Sequence, residues 1–117
     1  MFYSSYIEIS RSALAHNIAF LKAQLRPGVR FSSVIKGNAY GHGIEEFGQL
    51  AYTCGVDHFS VFSADEAYRL QQVLPHAATI MIMGYIDDEE LSWAIAHDIE
   101  CYVFSLDRLE QAGRVAQ

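Results

Sequence analysis

Residues 58–84 read H-F-S-V-F-S-A-D-E-A-Y-R-L-Q-Q-V-L-P-H-A-A-T-I-M-I-M-G. His58 to Phe62 is a short apolar run that predicts a strand buried on both faces. Ser63, followed three positions later by Glu66, is a capping-box signature; it opens a helix through Leu70 and Leu74 that Pro75 closes. Thr79 to Gly84 then returns to strand. A strand, a helix and a second apolar strand within a little over roughly twenty residues imply a crossover unit and a parallel sheet.

The same pattern extends in both directions. Upstream, Phe31 to Lys36 predicts a strand that runs into the glycine-rich turn Gly41-His42-Gly43. A helical stripe of Phe47, Leu50, Ala51 and Cys54 follows and ends at Gly55. Downstream, Asp87 and Glu90 repeat the capping signal before Leu91, Ala94 and Ile95. Cys101 to Phe104 predicts a fourth strand, and Ser105 caps a last helix through Leu106 and Leu109. Ahead of these units, Tyr6 to Ile9 alternates like a short strand. Ser10 is an N-cap candidate, and Leu14, Ile18, Leu21 and Leu25 form one apolar stripe before Pro27-Gly28 stops the helix. The expected class is therefore α/β with parallel βα units. Periodicity leaves open a doubly wound sheet or a βα barrel; four units make half of an eight-fold barrel, which needs roughly 200 residues or more.

Composition narrows the classes of partner. Of 117 residues, 51% are hydrophobic and 19% charged, enough apolar surface for a folded core and too much for a disordered chain. The formal charge is −6, and the eight basic residues occur singly, so nucleic acid and anionic membranes are not expected partners. Apolar runs are short, and the first residues lack the charged and apolar regions of a leader, which reads as a cytoplasmic chain. Cys54 and Cys101 form no C-x-x-C pair and read as reduced and packed. His16, His58, His76 and His97 lack ligand spacing, and no metal is expected. The acidic run Asp87 to Glu90 suits a first helical turn.

The stretch V-I-K-G-N-A-Y-G-H-G at 34–43 places Lys36 at the carboxyl end of a strand, where active sites of parallel α/β folds gather. Burial there disfavours the ammonium form and leaves an amine able to attack an aldehyde. Gly37, Ala39, Gly41 and Gly43 let the backbone turn close to a bulky ligand, and Tyr40 offers a hydroxyl to a phosphate. These parts suit a phosphorylated cofactor.

This stretch resembles the cofactor-lysine signature of alanine racemase and its relatives, the barrel-type pyridoxal-phosphate enzymes, with Gly37 where the family usually has Ala. The order of segments is similar too: Y-I-E-I at 6–9, a helix with A-L-x-H-N-I at 13–18, the lysine strand, then F-S-V-F-S-A-D-E-A at 59–67. The resemblance implies a (β/α)8 barrel of the TIM type, of which residues 1–117 are the N-terminal part, with the second barrel half and a C-terminal β domain lying outside the chain. It implies pyridoxal 5'-phosphate as cofactor, held by Lys36 as a Schiff base, with Lys36 also the base on one face of the substrate. Tyr40 hydrogen-bonds the phosphate and Met83 packs by the cofactor. Asn38 and His42 belong to the signature without an assigned role.

The implied reaction interconverts L- and D-alanine, supplying D-alanine for peptidoglycan, in a homodimer whose partner contributes a tyrosine as second base. That tyrosine and the arginine facing the pyridine nitrogen lie beyond this segment, which is expected to be inactive alone. Two other readings stand beside it: a related pyridoxal-phosphate decarboxylase of basic amino acids, which the Y-G-H-G tail disfavours, and a non-catalytic cofactor-binding or self-assembling half-barrel. The choice among alanine, serine and larger substrates is not encoded in these residues.

Overall fold

In the computed structural model, which describes residues 2–117, ten elements follow one another. They are α1 (Arg11–Ala23), β1 (Ser33–Val34), the short turn α2 (Lys36–Tyr40), α3 (Ile44–Thr53), β2 (His58–Val61), α4 (Ala64–Gln71), β3 (Thr79–Ile82), α5 (Asp88–Ala96), β4 (Glu100–Cys101) and α6 (Leu106–Val115). Met1, the first residue of the expected domain, lies outside the described residues. The four strands form one parallel sheet in the order β1-β2-β3-β4, with Val34 beside Ser60, Ser60 beside Met81 and Met81 beside Glu100. This order separates the two architectures left open above. A doubly wound sheet reverses direction at a switch point, whereas successive neighbours are what one arc of a βα barrel contains.

The helix starts follow the sequence signals. Ser10 accepts from the Ala13 amide at 3.3 Å, Ser63 from Glu66 at 3.2 Å and Ser105 from Arg108 at 3.2 Å. Asp87 and Glu90 close a reciprocal box, each side chain accepting from the other's backbone amide at 2.8 Å. Such caps are worth about 1 kcal/mol each, which favours these starts over neighbouring ones.

The core lies between the sheet and its helices. Ile35, Phe59, Val61, Ile80 and Ile82 point to the helical side and pack on Ile44, Ala51, Ala67, Leu70, Leu91 and Ala94. α3 and α4 pack closely because Gly48 has no Cβ; one built there would lie 2.5 Å from Leu70 Cδ1. By two-residue alternation the other face carries Val34, Ser60, Phe62, Met81, Met83 and Tyr102. Its upper part is open, with Val34 41% and Phe62 57% exposed. Its lower part is polar. His58 is buried with both ring nitrogens engaged, by Ser32 Oγ at 2.7 Å and Glu100 Oε2 at 2.8 Å, and Ser32 also meets Ser60 Oγ at 2.7 Å. Arg30 reaches across to Thr79 Oγ1 at 2.7 Å.

Several sequence expectations are corrected. Tyr6 to Ile9 is not a strand; these residues lie along the surface, with Tyr6 and Ile7 exposed, because none of the described strands pairs with them. β1 and β4 are two residues long, not the six and four expected, since each has one neighbour among the described residues and pairing lapses where it ends. The α1 stripe is buried only at Ile18, with Leu14 partly covered and Leu21 and Leu25 exposed. Cys54 and Cys101 are free and half-buried, as expected, and burial pushes the Cys101 thiol above its ordinary value.

Phe59, wholly enclosed on the central strand, is the residue whose truncation tests this core. Phe59→Ala should cost about 3–5 kcal/mol by urea denaturation; a loss under about 1 kcal/mol would contradict the packing. The open inner face and edges should also make the chain self-associate. Light scattering at rising concentration should report masses above 13.1 kDa, and a strictly monomeric chain would contradict that expectation.

Candidate active site at the carboxyl ends of the strands

The sheet brings the ends of β1, β2 and β3, followed by Lys36, Phe62 and Met83, to one level. Ile35 is still tied to β2, its amide donating to Ser60 O at 2.9 Å, so Lys36 is the first residue beyond the ladder. Continuing the register from Val34 beside Ser60 sets Lys36 level with Phe62; from Val61 beside Ile82, Phe62 stands next to Met83. Met83 is half-buried and donates its amide to Val61 O at 2.8 Å. Gly84 follows closely, and a Cβ there would meet Phe62 O at 2.4 Å, so only glycine lets the two strand ends converge.

Beyond Lys36 the backbone winds the wrong way for L-residues. Gly37, Asn38, Ala39 and Tyr40 have φ of 62°, 55°, 55° and 56°, one turn of left-handed helix, and Gly41 continues it at 93°. Its hydrogen bonds run from Ala39 N to Ile35 O at 2.9 Å and from Gly41 N to Gly37 O at 3.2 Å. For non-glycine residues this conformation costs roughly 1–2 kcal/mol each, so the surroundings must impose it. Ala39 is buried in the core. Asn38 Oδ1 accepts both the Ile44 amide that begins α3, at 3.0 Å, and Arg69 Nη2 of α4, at 3.0 Å. Arg69 grips Glu45 with two bonds, 2.7 Å and 2.9 Å. Its guanidinium holds the Glu45 carboxyl below the ordinary value of 4.5, and the pairing raises Arg69 in turn. Glu66, also on α4, accepts the Gly37 amide at 2.7 Å and the Phe62 amide at 2.8 Å.

Of the residues singled out from sequence, Lys36 and Met83 thus stand just past the ends of β1 and β3 with Phe62 of the strand between them, and Tyr40 stands at the end of the turn that Lys36 begins. Lys36 and Tyr40 are exposed. The burial expected around Lys36 is not provided by the described residues, whose inner face is open. Asn38, given no role from sequence, is the hub of the turn. His42 stacks on Phe47 with ring centroids 6.1 Å apart and serves the packing of α3. Arg69, Glu45 and the second task of Glu66 were not found from sequence; their partners are 24 to 31 positions away, and the one available signal, the capping pattern at Ser63, points elsewhere. No group of metal-ligating side chains occurs among the described residues, nor does any helix long and apolar enough to cross a membrane.

The donor set fits an aldehyde-bearing phosphate ester. An exposed amine and an exposed phenol flank a turn with open space beside Gly37, where an added Cβ would touch nothing within 4 Å.

The chain has counterparts among known proteins. Residues 9–117 match the family described as alanine racemase, N-terminal domain. The alanine racemase of Lactobacillus delbrueckii subsp. bulgaricus is 35% identical over 109 residues, covering 93% of this chain and 29% of that protein. The crystal structure of alanine racemase from Oenococcus oeni superposes with a TM-score of 0.81 at 33% identity, over 93% of this chain and 31% of that one. That of alanine racemase from Bartonella henselae, with covalently bound pyridoxal phosphate, gives 0.77 at 28% identity over 87% and 28% of the two chains. The chain spans under a third of the length of these relatives.

The Arg69 clamp has a pH signature. A carboxyl held low in the folded state adds stability in full above its ordinary value of 4.5, and that contribution is lost as pH falls through the lower folded value. Carboxyl NMR titration should place Glu45 below 4.5, and Arg69→Gln should return it toward that value. A Glu45 titration unmoved by Arg69→Gln would contradict the pairing.

Proposed function

Because the chain belongs to the alanine racemase family through its N-terminal domain, we propose that it is the lysine-bearing part of a pyridoxal-phosphate racemase that interconverts L- and D-alanine and supplies D-alanine for peptidoglycan. The observation that carries this reading is the placement of Lys36, first beyond the ladder at the carboxyl end of β1, inside V-I-K-G-N-A-Y-G-H-G and ahead of a left-handed turn. The related decarboxylase reading loses ground, since the relatives compared above are alanine racemases.

Lys36 would hold the cofactor through its amine and Tyr40 would donate its hydroxyl to the phosphate, while Met83 lines the inner face beside them. Pyridoxal phosphate, when bound, supplies an electron sink for the charge left at the substrate α-carbon. Lys36 Nζ takes the α-proton from one face of the substrate. Racemisation also needs a proton delivered to the opposite face, so one lysine serves half of the exchange. Residues 1–117 alone are accordingly expected to be inactive, the second base coming from a partner subunit in a cytoplasmic homodimer. The left-handed turn sets the path from Lys36 to Tyr40, which matters because a small misplacement of the groups that hold the reacting partners costs rate steeply.

Borohydride treatment with pyridoxal phosphate, followed by peptide mass spectrometry, should place the adduct at Lys36, and Lys36→Ala should abolish it. A coupled D-alanine assay should read background for this chain and turnover once the remaining sequence is supplied. An adduct elsewhere, or none, would remove the proposed identity.

A further inference from the structure

Two glutamates in this chain stand three positions after a capping side chain, and they behave differently. Glu90 returns its carboxylate to the Asp87 amide and closes its box. Glu66 leaves the Ser63 amide alone, although Ser63 Oγ accepts the Glu66 amide as the signature requires. Its two oxygens are divided instead: Oε2 accepts from the Phe62 amide at 2.8 Å and Oε1 from the Gly37 amide at 2.7 Å. Phe62 is the residue just past β2. The Gly37 N–H belongs to the peptide plane that carries the Lys36 carbonyl, so this bond sets the rotation on the carboxyl side of Lys36. The Ile35 amide on Ser60 O fixes the chain on the other side.

We infer that Glu66 is a positioning residue for Lys36, one carboxylate that locks the ends of β1 and β2 together and aims the lysine from the inner face toward pyridoxal phosphate. This rests on reading Lys36 as the cofactor lysine. The task calls for a carboxylate, an acceptor at both oxygens. A glutamine of the same shape keeps one acceptor and turns an NH2 group toward the other amide, donor against donor. Loss of that bond frees the peptide after Lys36, where the left-handed turn begins, and the turn has no intrinsic preference to hold itself.

The chain has lysines only at positions 22 and 36, which gives an internal control. Lys22, on α1, bonds Gly55 O ahead of β2, whereas Glu66 bonds the Phe62 amide at the other end of that strand. The chain is treated with pyridoxal phosphate and borohydride, and the ratio of adduct at Lys36 to adduct at Lys22 is read by mass spectrometry. Glu66→Gln should lower the ratio by about tenfold, the scale on which one hydrogen bond to a charged acceptor counts. A Glu66 that served only stability would shift the thermal midpoint and leave the ratio where it was; that result overturns the inference while the lysine reading survives. Lack of preference for Lys36 in the unaltered chain overturns the lysine reading and the inference with it. If the variant fails to fold, amide NMR of the unaltered chain decides. The Gly37 and Phe62 signals should move together through one carboxylate titration, and independent movement refutes the shared carboxylate.

Discussion

The turn after Lys36 sets the terms for its surroundings. Asn38, Ala39 and Tyr40 all sit near φ +55°, and at roughly 1–2 kcal/mol for each L-residue held that way the segment would relax if left alone. What holds it comes from outside: the core closes over Ala39, Asn38 begins α3, and two side chains of α4 reach up from below. Hydrogen bonds to an ionised acceptor, at about 1.5–3 kcal/mol each, are of the size needed to offset such strain. The position of Lys36 is therefore a property of the α4 face as much as of its own strand.

That dependence explains the close packing beneath. Gly48 lets α3 lie against Leu70, which brings Glu45 at the start of α3 within reach of Arg69 one turn from Glu66. A methyl group at Gly48 would stand 2.5 Å from Leu70 Cδ1, so the buried Leu70 side chain or the helix spacing would have to give. The capping serine at Ser63 fixes where α4 begins, hence which of its residues face the lysine turn. Helix start, helix spacing and turn geometry are one coupled constraint.

The βα order, the helix starts and the helix-facing core were legible because each rests on contacts within a few residues or on a repeating period. Ser63, Asp87 and Ser105 cap locally, and Phe59, Val61, Ile80 and Ile82 announce a buried strand by composition alone. Lys36 and Tyr40 were legible as a motif, and the placement of Lys36 follows from its strand. The handedness of the turn was not legible, since alanine gives no hint of positive φ and the glycines only permit it. Glu66 carried a signal that misled: its spacing from Ser63 predicts a reciprocal cap, and a partner 29 positions upstream claims it instead. Short strands at β1 and β4 escaped for a different reason, because pairing belongs to the neighbour as well as to the residues.

The two ends of the inner face divide the labour. At the amino ends of the strands every polar group found is satisfied within the chain, His58 by Ser32 and Glu100, Thr79 by Arg30. That network ties segments adjoining all four strands, which suits a layer that holds register. At the carboxyl ends the side chains of Lys36, Phe62 and Tyr40 stand exposed, while the backbone beneath them is tied through the Ile35, Gly37, Ala39 and Phe62 amides. A rigid backbone under free side chains is the arrangement a binding site requires, because the ligand then meets groups already aimed and does not have to order them.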